Sequence, residues 1–359
     1  MKKNVVAVLL AVLLLLTGCG SSVSSEEAIA KYGSDTLKVY NVGEYIDTMV
    51  ISDFEREFGV KVIYEVYDSN EMMYTKVQAG DVYDILVPSD YMIQRLIAED
   101  ALLELDLSKV PNIEFLTDEV RNLPFDPENK YSVPYFWGSV GIVYNTNVVD
   151  EEDLKTEGWN ILKDPKYAGK LYMYDSERDA FMIAFKALGY SMNTQNMDEI
   201  QAAYQWLMEQ RNTMNPVYVG DEVIDGMING NKDMAIVYSG DATNILLENE
   251  EMSFYMPEQG TNLWVDCMVI PKNAENPLLA HEFINYMLEY DIAYTNSEWV
   301  CYTSPHKDVL ADLSSMGGYF EGNVAYLPRQ GYEKDEVFED NRVLKEKLTE
   351  LWIKVKAGQ

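Results

Sequence analysis

The chain has 359 residues and carries 60 acidic side chains against 28 basic ones, which gives a formal net charge of −32. A surface this acidic argues against binding of nucleic acid or anionic lipid, since both need positive charge on the protein. Three Cys and two His also argue against a zinc site or a catalytic triad. The length exceeds one ordinary domain, so we expect two lobes.

The N-terminus has the pattern of an export signal. Two Lys residues precede an apolar run over 5–16, which is too short to cross a bilayer as a helix. The motif LTGC, which ends at Cys19, resembles the lipobox of bacterial lipoproteins, and this resemblance implies cleavage before Cys19 and lipid on its thiol. We predict a lipoprotein signal peptide over 1–18, a tether over 19–35 and an extracytoplasmic protein anchored to the cell membrane. The alternative is an ordinary signal peptide followed by an unmodified Cys.

The first folded part of the chain alternates predicted strands and helices, which is typical of βαβ units with a parallel sheet. The apolar pattern predicts strands over 36–42, 60–67 and 84–89. Helical patterns run over 45–58, 69–77 with Ser69 as the N-cap, and 90–98 with Ser89 as the N-cap. Ligands of such sheets bind beyond the carboxyl ends of the strands, so we expect a site near residues 41–45, 68–70 and 88–91.

A second set of elements follows a candidate crossing between lobes. The stretch 131–145 indicates an extended chain that passes into a strand. Further predicted elements of this set are a strand over 169–176, helices over 179–188 and 197–210 and a strand over 233–241. The segment LWVDCMVIP returns the chain to the first lobe, where a helix over 277–288 follows it. These two hinge crossovers predict lobe 1 over 36–138 and 266–304 and lobe 2 over 139–265 and 305–359, with the ligand between them.

A carboxylate in the middle of the apolar segment LWVDCMVIP needs an explanation. Asp266 is its single charged residue, and an ionised Asp in a buried strand requires a partner. No Lys or Arg lies within five residues on its N-terminal side, and the nearest on the other side is Lys272. Period-two alternation places Trp264 on the same side of the strand. Two interpretations stay open: a structural ion pair with a distant arginine, such as Arg178 or Arg95, or a cationic ligand.

Six segments carry a family resemblance: VYNVGEYI, VKVIYEVYDSNEMMYTKV, YDILVPSDYM, LPFDPENKYSVPYFWGSVGIVYN, DPKYAGKL and LWVDCMVIP. Together they resemble the polyamine (spermidine/putrescine) substrate-binding proteins of ABC importers, over nearly the whole mature chain. The resemblance implies an α/β, two-lobed type II periplasmic-binding-protein fold. It also implies a monomeric receptor, without cofactor or enzymatic activity, that captures spermidine or putrescine and delivers it to the permease subunits of an ABC importer.

The same resemblance implies a set of ligand-binding residues. Asp266 would bind a ligand ammonium, and Trp264 would pack against the ligand's methylenes. Asp179 stands where the family commonly has a Glu for the other terminal amine, and Asp241 matches an Asp of some putrescine-preferring members. The other positions that would line the cleft are Tyr45, Ser89, Tyr91, Tyr302 and, in place of a family Trp, Tyr238.

Departures from the family pattern leave the length of the ligand open. Val42 stands in place of a Trp, Gly43 in place of a Ser or Thr, and Ser176 in place of an Asp. Structural interpretations of single residues also stay open. The aromatic residues taken singly fit a core, Asp241 fits a helix cap, and Asp179 fits a solvated first-turn acid.

The chemistry of a polyamine fits these side chains independently of the resemblance. Each ammonium needs an acceptor and each methylene stretch needs an apolar wall, and an ammonium over an aromatic face gains about 0.5–2 kcal/mol. The alternatives are a receptor for another cationic solute or a sugar, an Fe³⁺-binding protein with paired tyrosines, and an extracellular glycosidase that uses Asp241 and Asp266.

Two cysteines remain beside Cys19. Cys267 follows Asp266, and Cys301 precedes Tyr302. Export permits a disulfide between them. A bridge behind the ligand and two buried free thiols are both open interpretations.

Overall fold

The computed structural model describes residues 23–358, so the predicted signal peptide and Cys19 lie outside the described residues. The described part begins with helix α1 (Ser25–Tyr32), which a capping box closes at its N-terminus. Ala28 and Tyr32 of this helix are buried against the first core. This stretch of the predicted tether is therefore packed on the folded protein. Within residues 23–358, no helix combines the length and the apolar composition needed to cross a bilayer.

The first lobe is built on a parallel sheet flanked by helices. Its strands are β1 (Thr36–Val42), β2 (Lys61–Tyr67) and β3 (Ile85–Leu86), with β1 between the other two and parallel to both. Its first helices are α2 (Thr48–Phe58), α3 (Asn70–Gln78) and α4 (Asp90–Ala98). Short 3₁₀ helices follow at Leu107–Lys109, Pro111–Phe115, Asp118–Val120 and Pro127–Asn129. The predicted alternation of strands and helices is confirmed.

Three details of this lobe differ from the prediction. The Asp47 carboxylate accepts the Met49 N–H at 2.8 Å, and this cap starts α2 three residues later than expected. The predicted strand 84–89 keeps only β3, because Pro88 has no N–H with which to extend the ladder. Ser89 occupies the N-cap position of α4, but its hydroxyl bonds no N–H of that helix.

The second lobe has its own sheet and helices. Its elements in chain order are β4 (Ser132–Asn145), α5 (Glu151–Glu157), 3₁₀ helices Gly158–Lys163 and Pro165–Tyr167, β5 (Leu171–Tyr174), α6 (Glu177–Ala187), α7 (Met197–Met214), β6 (Val217–Val219), α8 (Glu222–Ile228), β7 (Met234–Tyr238), α9 (Ser239–Glu248) and β8 (Met252–Tyr255). Strand β5 lies between β6 and β7 and is parallel to both. Every predicted strand and helix of this region is present with shifted ends.

Two long strands connect the lobes. Strand β4 pairs antiparallel with β9 (Leu263–Val269) through residues 132–139, and with β7 through residues 140–144. All fourteen residues of β4 are buried. Strand β9 in turn pairs with β3, so the sheet order is β2-β1-β3-β9-β4-β7-β5-β6, with β8 beside β4. The strand predicted as a crossing and the segment predicted as its return therefore lie side by side.

The chain ends with four helices. These are α10 (Pro277–Met287), α11 (Tyr290–Val300), α12 (Lys307–Ser314) and α13 (Arg342–Ala357). Helix α13 packs on α6 and α7 of the second lobe. Residues Val309, Leu313 and Phe320 pack instead in one core cluster with Tyr40 and Tyr67 of the first sheet. This packing favours a lobe boundary later than residue 304, and the exact division of the chain stays a prediction.

Candidate functional site

Seven of the nine predicted ligand-binding residues form one connected row between the lobes. They are Tyr45, Asp179, Tyr238, Asp241, Trp264, Asp266 and Tyr302. Ser89 joins this row through an isolated β-bridge with Asp266. Tyr91 follows Ser89 by two residues, in the first turn of α4, and it is buried. Its ring contacts Arg178 of the second lobe and not the residues of the row.

Asp266 lies at the first-lobe end of the row. Its Oδ2 accepts a hydrogen bond of 2.7 Å from the Tyr45 hydroxyl. Burial raises the pKa of the Asp266 carboxyl to about 6, while hydrogen bonds from the Ser89 and Tyr45 hydroxyls act in the opposite direction. Because the Ser89 oxygen also accepts an N–H of Asn70 at 3.0 Å, its own proton is free for the carboxylate.

The structure removes the ion-pair interpretation of Asp266. Arg95 pairs with Asp340, and Arg178 pairs with Glu71 at 3.2 Å. Within residues 23–358, Asp266 has no Lys, Arg or His within ion-pair distance. Its negative charge is therefore left without a cationic side chain at the edge of the interlobe space.

Asp241 belongs to the second lobe and is linked to Asp266 through the rings of Tyr302 and Tyr45. It belongs to the first turn of α9, which begins at Ser239, and so it does not act as an N-cap. The hydroxyl of Tyr302 from the first lobe donates to its Oδ1 at 2.8 Å. Burial raises the pKa of the Asp241 carboxyl to about 7, and the Tyr302 hydrogen bond acts to lower it. A hydrogen bond thus joins the two lobes directly at the site.

Asp179 is the most deeply buried acid of the row, with 4% of its surface exposed. It lies in the first turn of α6, where the Ser176 hydroxyl caps the helix by accepting the Asp179 N–H. The Tyr238 hydroxyl donates to Oδ2 at 2.8 Å, whereas Oδ1 has no hydrogen-bond partner among residues 23–358. Burial raises the pKa of this carboxyl. A buried carboxylate oxygen without a hydrogen bond is energetically unfavourable, so we expect Oδ1 to accept one from a bound ligand.

A continuous row of aromatic rings runs between the three acids. The Tyr45 and Tyr302 ring centroids are 5.6 Å apart, and those of Tyr302 and Trp264 are 5.3 Å apart. Tyr238 follows at 6.1 Å from Trp264, and Tyr174 lies 5.1 Å beyond it. All four contacts are edge-to-face, so the rings present faces as well as edges along the row.

Sequence analysis missed two residues close to this row. Asp90 is 1% exposed, accepts the Val265 N–H at 3.1 Å and thereby ties α4 to β9. Burial raises the pKa of its carboxyl to about 7, helped by the charge of Asp266. Tyr174 closes the row at the end of β5. The available signal was position in the chain, since Asp90 follows Ser89 directly and Tyr174 lies near the carboxyl end of the strand predicted over 169–176.

Other site chemistries receive no support from the described residues. Cys267 and Cys301 are both free and buried, so the bridge left open above is absent from the structure. Over residues 23–358, no group of three or more His, Cys, Asp or Glu side chains is arranged to hold a metal ion.

Comparisons with known proteins place the chain in a family. Residues 49–316 match the bacterial extracellular solute-binding protein family. The spermidine/putrescine-binding periplasmic protein of Salmonella typhimurium is 34% identical over 275 residues, which is 76% of this chain and 78% of that protein. The family match includes both strands that connect the lobes, β4 and β9.

Solved structures agree with the sequence comparison. The spermidine/putrescine ABC transporter substrate-binding protein PotD of Streptococcus pneumoniae superimposes with a TM-score of 0.77 at 36% identity, over 90% of this chain and 99% of that one. The TpPotD lipoprotein of Treponema pallidum gives 0.76 at 27% identity, over 89% and 99%. The predicted two-lobed periplasmic-binding-protein fold is therefore confirmed, and the chain belongs to the bacterial extracellular solute-binding protein family.

Proposed function

We propose that this protein is the extracytoplasmic receptor of an ABC importer and that it captures a polyamine, spermidine or putrescine, between its lobes. One observation carries the proposal. Asp179, Asp241 and Asp266 each accept a hydrogen bond from a tyrosine hydroxyl, and none of them pairs with a cationic side chain of residues 23–358. Buried carboxylates in this state are suited to ligand ammonium groups.

The alternation of charged and apolar groups along the row resembles that of the ligand. A polyamine alternates ammonium groups with methylene stretches, and the row alternates carboxylates with aromatic rings. An ammonium that leaves water for the face of a Tyr or Trp ring gains about 0.5–2 kcal/mol beyond its ion pair. The names of the relatives from Salmonella and Streptococcus support the same ligand class. A sugar would also use the rings, but it would leave three acids without cations.

Ligand binding is tested with a lipid-free chain over residues 20–359. Spermidine and putrescine should raise its melting temperature, since ligand at about a hundred times Kd adds roughly 2.7 kcal/mol to the unfolding free energy. Calorimetry then gives the two affinities. A sugar and ferric citrate serve as controls, and a shift with either of them but with neither polyamine would refute the proposal.

We further propose binding without turnover. The two-carboxylate glycosidase alternative would leave Asp241 and Asp266 facing a sugar, yet both acids are held by tyrosines in a row of rings suited to methylenes. Mass spectrometry of spermidine after prolonged incubation with the protein should return it unchanged. Any protein-dependent product would assign an enzymatic role instead.

We propose that Cys19 anchors the receptor to the membrane, as a monomer beside its permease. The LTGC motif and the TpPotD relative, which is named a lipoprotein, support this. The Cys19→Ala precursor should escape lipid processing and leave the detergent phase in a partition assay. Unchanged partition of that variant would exclude Cys19 as the anchor.

A further inference from the structure

A chain of buried hydrogen bonds reaches the site from behind Tyr45. Asn296 of α11 is 2% exposed. Its Oδ1 accepts the Asp47 N–H at 2.9 Å, and its Nδ2 donates to the Tyr135 hydroxyl at 3.0 Å. Tyr135 in turn donates its single proton to the Tyr45 carbonyl oxygen at 2.6 Å. Both backbone groups that flank the start of α2 are therefore held by side chains from other elements.

The segment held in this way is the short loop between β1 and α2. It contains Glu44 with φ 52°, a left-handed backbone conformation that is unfavourable for a residue with a side chain. Tyr135 can reach it because the β4–β9 register shifts between Pro134 and Phe136. This bulge frees Tyr135 from the ladder and aims it at α11.

We propose that Asn296 and Tyr135 are positioning residues for ligand binding, which hold Tyr45 so that its hydroxyl meets the Asp266 carboxylate. The inference rests on the proposed polyamine function. Neither residue belongs to the row of acids and rings. Tyr135 contacts the row at Tyr45, through its hydrogen bond to the Tyr45 carbonyl oxygen and through an edge-to-face ring contact with 5.4 Å between centroids. Their effect on the ligand passes through Tyr45.

The chemistry requires an amide at position 296. An amide accepts from Asp47 with one atom and donates to Tyr135 with the other, which directs the tyrosine proton to the Tyr45 carbonyl. In Asn296→Asp the carboxylate would draw that proton to itself, and the Tyr45 carbonyl would lose its donor. Asn296→Asp is therefore as informative as removal of the side chain.

The test compares Tyr135→Phe, Asn296→Asp and wild type by calorimetry with spermidine. Tyr135→Phe keeps the ring and loses only the hydroxyl, so we expect the fold to be retained, which thermal unfolding of the variant checks. We expect each variant to bind about fivefold more weakly, as for a lost hydrogen bond. In a Tyr45→Phe background the same changes should cost almost nothing, because the hydroxyl that they position is gone. Additive losses in this double-mutant cycle would overturn the inference.

A second readout follows the Asp266 proton. Loss of the Tyr45 hydrogen bond should move the titration of Asp266 to higher pH in NMR of labelled carboxyl groups. The other titratable groups that act on or feel this carboxyl are Tyr45, Tyr67, Asp90, Tyr135, Cys267 and Tyr302. Tyr135→Phe removes only one of them, and that phenol stays neutral over the range in which Asp266 titrates, because burial raises its pKa. Asn285→Ala is the matched control, since Asn285 of α10 accepts the Asn112 N–H at 3.0 Å in the same lobe.

The two proposals fail in different ways. If wild type binds no polyamine, the proposed function is wrong, and the Asp266 titration still decides the positioning role. If wild type binds spermidine and Tyr135→Phe behaves like Asn285→Ala in affinity and titration, the positioning role alone is wrong.

Discussion

The guanidinium of Arg178 lies over the ring of Tyr91, with its central carbon 3.6 Å from the ring centroid. Arg178 belongs to α6 of the second lobe and Tyr91 to α4 of the first, so this contact spans the interlobe space. Glu71 receives Arg178 at 3.2 Å and Lys345 at 3.1 Å, again from the opposite lobe. One face of Tyr91 is therefore occupied by a cation of the protein itself, and we expect this contact to be lost when the lobes move apart.

Arg178→Met should weaken polyamine binding by roughly 2- to 30-fold, the range expected for one desolvated cation–π contact. The reason is that the ligand binds best to the closed form, and the substitution removes a contact that stabilises that form. Calorimetry measures the loss. Lys163→Met is the control, because Lys163 lies over Trp206 and pairs with Glu209 within the second lobe. Equal affinities of the two variants would contradict the interlobe role.

Gly240→Ala should block closure without harming the fold. A methyl group at Gly240 would lie 2.3 Å from the Tyr302 ring of the other lobe, while within α9 an Ala is favoured over Gly by roughly 0.5–1 kcal/mol. We expect polyamine affinity to fall by roughly 5- to 150-fold, the cost of overpacking. The melting temperature without ligand should hold or rise.

The control for this variant is Gly220→Ala, whose new methyl would meet only the Glu222 carboxylate at 3.1 Å. It should bind polyamine like wild type. If Gly240→Ala also retains full affinity, Tyr302 and α9 do not need to approach one another for binding.

Asp266→Asn should separate binding from folding. Loss of a buried charge partner costs roughly 2–5 kcal/mol, or about thirtyfold to several thousandfold in affinity. Stability without ligand should hold or rise, because burial of this carboxylate is unfavourable at neutral pH, as its raised pKa indicates. Thermal unfolding and calorimetry on the same sample test both parts. A variant that unfolds where wild type is robust would make Asp266 a structural residue.

Polyamine affinity should rise with pH between pH 5 and pH 8. The pKa values of Asp266 and Asp241 lie at about 6 and about 7 in the ligand-free protein, and an ammonium prefers the ionised acids. Below these values each retained proton costs on the order of tenfold in affinity per pH unit. Calorimetry in two buffers of different ionisation enthalpy counts the protons released, and a flat profile without release would be contrary to expectation.

The same two acids have the opposite effect on stability without ligand. Both pKa values lie above the ordinary 3.8, so the folded form holds these protons more tightly than the unfolded chain does. Their contribution to the unfolding free energy is therefore most favourable at low pH, and it declines as pH rises from about 4 to about 7. Unfolding in urea over this range, with Asp266→Asn for comparison, measures the part of this contribution that comes from Asp266.

Local patterns in the sequence were sufficient for the strands and helices, because apolar periodicity and caps act over a few residues. The segment LWVDCMVIP could also be identified, because a single charged residue in an otherwise apolar strand is unusual and indicates a special position in the fold. The ends of the helices and strands were less predictable. The start of α2 depends on the hydrogen bond that the Asp47 carboxylate accepts from the Met49 N–H, whereas the apolar periodicity of 45–58 does not indicate where the helix begins.

The partners of the site residues were beyond reach of the sequence. Tyr45 lies 221 residues from Asp266, and Tyr302 lies 61 from Asp241. The first pair forms only when distant parts of the first lobe come together, and the second only when the two lobes meet. The neighbours Arg178 and Asp179 show the limit clearly, because one points to Tyr91 and the other to Tyr238, and a helical pattern does not choose between them.

The two free cysteines give this protein an intrinsic chemical reporter. Cys267 adjoins Asp266 and Cys301 adjoins Tyr302, and burial raises the pKa of both thiols. A chain that begins after Cys19 carries no other thiol. Because both thiols are buried, a maleimide reacts with them mainly when the surrounding segment opens. The labelling rate at each cysteine therefore reports local opening next to Asp266 and next to Tyr302. Comparing the rates with and without polyamine needs no engineered probe.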